Sequence, residues 1–204
     1  MNVNQLIERA EAIIEEKYPS DKWRGFINSI LDDLTPAAKV LKTADVTVTL
    51  ASGAGEFTIS DEISNVFEIV SVSFTPTGKR SIPLRKLFPH DNVSTGWKQQ
   101  EDKIVLQSLP WSAGTANVSY YERLTLTSSN GVYTMSLPEK YHEVVLKGVL
   151  AVAMQKEEEI DRKQDFFGEY LLAKRNMAVE RITEVEPWNK QFVLGEKLGL
   201  GGGK

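Results

Sequence analysis

Apolar residues recur at two different spacings along this chain, and the changes of spacing divide it. From Val3 to Lys17, the residues Leu6, Ile7, Ala10, Ile13 and Ile14 return every three or four positions, which predicts an amphipathic helix. Pro19 ends it, and Ser20 or Asp21 offers the short side-chain oxygen that caps the next helix. That helix, striped by Trp23, Phe26, Ile27, Ile30 and Leu31, is expected to run to about Leu34 and to stop at Thr35-Pro36. From Asp45 the period falls to two. Val46, Val48 and Leu50 alternate with Thr47 and Thr49; after the turn Ser52-Gly53-Ala54-Gly55, Phe57 and Ile59 form a second short strand. Val70, Val72 and Phe74 alternate with Ser71 and Ser73, and Thr75-Pro76-Thr77-Gly78 reads as a β-turn. Pro83 marks the returning strand at Ile82 as an edge, since it cannot donate to a ladder. Leu84 to Asn92 reads as a short helix or irregular loop. Trp97 and Ile104 to Leu106 begin further strands, and Ala116 to Arg123 is the last well-formed one. Asn130-Gly131 signals a tight turn between Leu126 and Val132 to Met135. The count is five to seven short strands, mostly antiparallel because their connections are short.

The helical period returns after Leu137. Pro138 suits a first helical turn, and Glu139 and Glu143 complement the dipole there. Tyr141, Val144, Val145, Val149, Val152 and Ala153 give a wide apolar face, ending near Lys156. A second helix is expected from about Asp161 to Thr183, with Phe166, Tyr170, Ala173 and Met177 as one ridge and Phe167 and Leu171 beside it. So short a link folds the two back antiparallel. From Glu186 to Lys204 no period survives: Trp188, Phe192, Val193, Leu194, Leu198 and Leu200 stand among five glycines. The segment is too apolar for a solvated tail and too glycine-rich for its own core, so it reads as an arm that docks on something. Trp188, beside Pro187, either folds back on its own domain or inserts into a partner as an anchor; Trp23, Trp97 and Trp111 read as core or sheet-packing residues. The fold expected is α+β: an N-terminal helix pair, a central antiparallel β-domain, a C-terminal antiparallel helix pair and an extended C-terminal arm. Residues 1–43 and 137–185 would form a helical bundle, 44–136 an inserted β-rich domain, and 186–204 the arm.

Composition narrows the chemistry. The 204 residues are 25% charged and 41% hydrophobic, ordinary for a soluble globular protein, and long enough for a core. A formal net charge of -4 argues against a basic nucleic-acid binder, although such a surface lets DNA slide past without holding it. With no cysteine there is no disulfide, thiolate metal site or Cys nucleophile. Asn2 to Glu16 alternates acidic and apolar groups, unlike a signal peptide, and the most apolar run, Val144 to Met154, is broken by Lys147 and Gly148. His90 in a loop and His142 in a first helical turn, expected partly exposed, lack metal-motif spacing. Glu157, Glu158, Glu159 and Asp161, flanked by Lys156, Arg162 and Lys163, read as a solvated link. Gly53-Ala54-Gly55 lacks the rest of a dinucleotide fingerprint, and Gly78-Lys79-Arg80 lacks a P-loop's earlier glycine and following hydroxyl; both read as hairpin turns. No nucleophile elbow is present. The chain is therefore expected to be no enzyme, with no cofactor and no metal. A hydrolase would need carboxylates converging in a cleft, and a small carbohydrate- or peptide-binding module an exposed aromatic row, for which Trp97 and Trp111 are the candidates.

Certain runs carry a family likeness. Asp102-Lys103-Ile104-Val105-Leu106 followed by Leu109-Pro110, then Val118-Ser119-Tyr120-Tyr121, then Leu137-Pro138-Glu139-Lys140-Tyr141-His142, together with an N-terminal helix pair ending at Leu34, resemble the head-to-tail adaptor (connector) proteins of tailed bacteriophages. The resemblance covers most of the chain. It implies a homo-oligomeric ring, commonly of twelve subunits, in the virion neck, assembled in the host cytoplasm. It implies the portal protein above, a tail or stopper protein below, and DNA passing through the channel without sequence-specific binding and away from any membrane. It also implies an arm that reaches along the portal, with Trp188, Phe192, Val193, Leu194, Leu198 and Leu200 as its contacts. Another tail-completion or baseplate protein is the alternative.

Overall fold

The computed structural model describes residues 1–51, 53–88, 95–129, 132–154 and 160–185, with backbone only at 160–163 and 182–185. The chain divides into two compact units: Met1–Lys39 together with the chain from Leu124 onward, and Val40–Arg123 between them. The first holds the four long helices and one small hairpin; the second holds the larger sheets and one short helix. The class is α+β, with helices first, antiparallel sheets in the middle and helices last.

In the helical unit, α1 spans Val3–Ile14. Its start is a reciprocal cap: the Gln5 N–H donates to Asn2 Oδ1 and the Asn2 N–H to Gln5 Oε1, both at 2.9 Å. The helix ends three residues earlier than its apolar spacing predicts, because Glu15 turns left-handed at φ 57. Ile13, expected on the stripe, is exposed, and Val3 is buried in the core. Helix α2 spans Ser20–Ala38, with Pro19 as its cap residue. Ser20 and Asp21 both lie inside the helix and make no cap, contrary to expectation; Asp21 pairs with Arg24 instead. Thr35-Pro36 does not stop the helix. Pro36 lacks only the N–H that would reach back four residues, and the turn continues to Lys39 in a left-handed conformation. Thr35 is buried: its hydroxyl donates to the Leu31 carbonyl at 2.9 Å and accepts the Leu124 N–H at 3.1 Å.

Pro138 precedes a 3₁₀ turn, Glu139–Tyr141, that leads into α4, His142–Ala153. This turn swings His142 inward, so it is buried at 6% exposure and not partly exposed as its position suggested. Its Nδ1 lies 2.7 Å from the Met1 carbonyl oxygen and its Nε2 3.0 Å from that of Leu137. Helix α5, Ile160–Val185, runs antiparallel to α4: Lys140 pairs with Glu180 at 2.6 Å and Lys147 with Glu169 at 3.0 Å, one index rising as the other falls. Gly148 permits the close crossing, since a Cβ there would sit 2.9 Å from both Ile30 and the Tyr170 ring. The hairpin β8 (Leu126–Ser129) and β9 (Val132–Met135) belongs to this unit.

The second unit carries a four-stranded antiparallel sheet ordered β1-β7-β3-β4 and a three-stranded sheet ordered β2-β6-β5. The strands are β1 Leu41–Thr49, β2 Gly55–Thr58, β3 Val66–Pro76, β4 Ile82–Leu84, β5 Gly96–Gln100, β6 Lys103–Gln107 and β7 Ala113–Glu122. With the hairpin, the described residues hold nine strands, more than the five to seven expected. Inward residues of both sheets, among them Val46, Val72, Phe74, Val118, Trp97, Ile104 and Leu106, share one core. The turn at Gly53 does not join two paired strands: β1 pairs with β7 and β2 with β6, so the chain changes sheets there, across the bridge Ala51–Ala54. Ile59, expected in the strand, opens the short helix α3, Ile59–Glu62. The register of β3 against β7 slips between Ile69 and Ser71, a bulge that turns Ile69 inward and leaves Val70 43% exposed, against its expected place in the core. The turn at Gly78 is a hairpin: Gly78 has φ 72 and the Lys79 N–H donates to the Pro76 carbonyl at 3.0 Å. Pro83 lies in the edge strand β4.

Candidate functional site

The arm residues Trp188, Phe192, Val193, Leu194, Leu198 and Leu200 lie outside the described residues, as do His90 and Glu157 to Glu159. The described base from which the arm departs is α5, and its side chains show how that base is held.

Tyr170 and Lys174, one helical turn apart, both reach Asp33 on α2. The Tyr170 hydroxyl donates to Asp33 Oδ2 and the Lys174 ammonium to Oδ1, the latter at 2.7 Å. Partial burial pushes the Asp33 carboxyl up, but the hydrogen bonds from Lys174 and Tyr170 and the Lys174 charge outweigh it and hold the group below the usual carboxylate range. Burial, then the bond to Asp33 and its charge, raise the Tyr170 phenol. Tyrosine thus stays protonated and aspartate ionised, which is the state in which the bond between them is strongest. Nearer the C-terminal end, the Arg181 guanidinium donates to the Ala38 carbonyl at 2.7 Å and to the Lys39 carbonyl at 3.0 Å, satisfying carbonyls that end α2 and setting a cation at its negative pole. No sequence pattern announced Asp33 or Arg181; their partners lie over a hundred residues away.

Beside this clasp runs a groove of about 260 Å³ between α2, α4 and α5, bordered by Ile30, Gly148, Val152, Phe167 and Leu171. At the edge of this groove Phe167 is 46% and Leu171 47% exposed, and on the side of α5 opposite its buried ridge Leu172 is 60% and Val179 58% exposed. Of the expected ridge, Tyr170 and Met177 are buried while Phe166 and Ala173 are half-buried.

The sheet unit has its own groove, about 620 Å³, at Leu50, Pro76, Leu109, Pro110 and Trp111. It is floored by Trp111, which stacks on Phe74 with ring centres 6.0 Å apart. This is where the Leu109-Pro110 motif falls. Trp23 and Trp97 are buried in the cores of their units. Its described lining residues carry hydroxyls on Thr77 and Ser112 and, among the described residues, no carboxylate or imidazole. In the helical groove Asp33, the one carboxylate among the described lining residues, is engaged by two donors. Among the described residues no set of three or more His, Asp or Glu is placed to hold a metal, and no helix is long and apolar enough to cross a membrane.

The side chains described in both units are engaged in packing and in contacts between helices of the same unit. The comparison with protein families is specific: the SU10 adaptor protein family matches residues 1–189. The chain belongs to that family, a family of structural head-to-tail connector proteins of the bacteriophage virion and not of enzymes. No curated protein matches the chain.

Proposed function

We propose that this protein forms a ring, of twelve subunits, that docks under the phage portal and carries the DNA channel toward a tail or stopper protein. The observation that carries this reading is the family match, which spans both units and α5. The virion neck is its place, and assembly occurs in the host cytoplasm. The net charge of -4 favours a channel through which DNA slides, because phosphates gain nothing from an acidic surface. Residues 186–204 act as the portal-docking arm, with Trp188, Phe192, Val193, Leu194, Leu198 and Leu200 as anchors, since a few aromatic and aliphatic side chains carry most of an interface's energy. The clasp at Asp33 and Arg181 supports this role by fixing the base from which the arm leaves.

Native mass measured with and without portal tests the ring. Portal should convert the protein into a complex holding about twelve protomers of 22.8 kDa; a protomer that stays single beside portal rejects the ring. Truncation after Val185 tests the arm: portal binding should be lost, and unchanged binding would remove the arm from the interface.

A further inference from the structure

Three connections of the sheet unit converge on one groove. The β1–β2 connection brings Leu50 and Gly53 to it, the β3–β4 turn brings Pro76, and the β6–β7 connection brings Leu109, Pro110 and Trp111. Their backbones are tied to one another. The Leu109 N–H donates to the Gly53 carbonyl at 2.8 Å, and the Leu50 N–H to that of Ser112 at 2.7 Å. Gly53 stands at φ 80, and a Cβ there would lie 2.4 Å from the Leu109 carbonyl oxygen, so only glycine lets the two loops meet. Beneath them the fully buried Phe74 ring supports Trp111. A groove of about 620 Å³ held in this way is already formed before anything enters it.

The chemistry of the lining is narrow. Leucine and proline side chains and one flat indole make up its apolar part. The polar side-chain groups among the described lining residues are the Thr77 and Ser112 hydroxyls and the Trp111 indole N–H, all of them able to donate. The matching occupant shows apolar rings and carbonyl oxygens. A proline-containing segment in the polyproline II conformation does so: proline has no N–H, and the conformation leaves its carbonyls without internal hydrogen bonds. Such a segment also arrives extended, so little freedom is lost when it docks on an aromatic surface. A sugar asks for acceptors as well, and among the described lining residues there is no carboxylate or side-chain amide. Charge narrows the choice further. Lys79, on the β3–β4 turn, holds its ammonium 5.9 Å from the centre of the Trp111 ring, and Arg80 follows it. An acidic side chain beside the proline is complementary to that cation.

We propose that this groove binds an extended, proline-containing segment of a partner protein, one that carries an acidic residue beside the proline, with the proline ring on Trp111 and the carboxylate at Lys79. The site is separate from the residues assigned to portal docking, and it does not depend on the number of subunits in a ring.

The probe is a fluorescein-labelled peptide of sequence Pro-Pro-Asp-Pro-Pro, and its binding to the full chain is read by fluorescence anisotropy. It should bind about tenfold more tightly than Ala-Ala-Asp-Ala-Ala, which has first to be ordered. It should bind about threefold more tightly than Pro-Pro-Lys-Pro-Pro, a difference the size of an exposed ion pair. Lys79 is exposed on its turn, so Lys79→Glu leaves the fold alone and should reverse the preference between the Asp and Lys peptides. Trp111→Leu should weaken the Asp peptide about tenfold, with far-UV circular dichroism confirming that the sheets persist. Where that variant unfolds, the reversal in Lys79→Glu decides alone. No binding of the Asp peptide, equal binding of all three peptides, or a preference that Lys79→Glu leaves unchanged would overturn the proposal. So would displacement of the probe by cellohexaose, which would give the groove to a sugar. Portal binding is read separately, by the truncation after Val185.

Discussion

Asp33 is a single carboxylate on which two helices depend. Its pKa is held below the ordinary 3.8, so the stability it contributes is present above that pH and is lost as pH falls through the lower, folded-state value. Asp33→Asn should therefore flatten the acid limb of a stability–pH profile, measured by urea unfolding. At pH 7 the loss should be on the order of 1 kcal/mol, a charged hydrogen bond discounted for its half-exposed carboxylate. Tyr170 has the opposite sign: its raised pKa keeps the native state protonated, so stability is present below pH 10.0 and declines as pH rises beyond it. Gly148→Ala places a methyl 2.9 Å from Ile30 and Tyr170. It should destabilise by about 1–2 kcal/mol in a thermal melt, overpacking outweighing the better helix propensity of alanine. These residues were not legible in advance, for a physical reason. Sequence periodicity reports which side of an element is apolar; it does not report which remote group meets a given side chain. His142 shows the same limit, because its burial comes from a 3₁₀ turn whose direction no spacing encodes.

Elements were easier to read than their ends. Val46, Val48 and Leu50 alternate in sequence and are buried as alternation requires. The antiparallel α4 and α5 follow from a short link between two striped helices. What escaped was local backbone chemistry that overrides a period. Glu15 stops α1 early, Pro36 fails to stop α2, and a bulge after Ile69 exchanges the sides of Ile69 and Val70. Ladder partners also escaped, since β1 finds β7 across more than sixty residues while its sequence neighbour β2 joins another sheet. Thr35 ties α2 to the strand's return at Leu124, through one hydroxyl that both donates and accepts. Thr35→Val, similar in shape, leaves the Leu124 N–H buried without that acceptor. It should cost about 1–3 kcal/mol in chemical unfolding, and Thr35→Ser should recover most of it.

At the scale of the whole molecule, the sheet unit Val40–Arg123 is inserted into the helical one. Among the described residues, its core cluster is drawn from Val46 to Tyr120, within its own span. Expressed by itself, residues 40–123 should melt in one cooperative transition, checked by agreement of calorimetric and van't Hoff enthalpies. A broad, non-cooperative melt would show that it needs the rest of the chain. The hairpin β8–β9 was expected in the sheet region, and it stays with the helices. The C-terminal anchors were legible as composition only: an aperiodic apolar segment says that something covers it, and leaves the cover to be found.

The sheet unit leaves and rejoins the helical chain through neighbouring strands. Leu41 stands opposite Tyr121 in the β1–β7 ladder, and the Glu122 N–H donates to the Val40 carbonyl at 2.8 Å. Paired residues in such a ladder are only about 5 Å apart. Seen from Lys39 and Leu124, the eighty-four residues between them are therefore a detour that ends almost where it began. Closing that gap with a short turn asks little of the helices, and so does filling it with a larger or different domain whose ends meet. The helical frame is thus a socket.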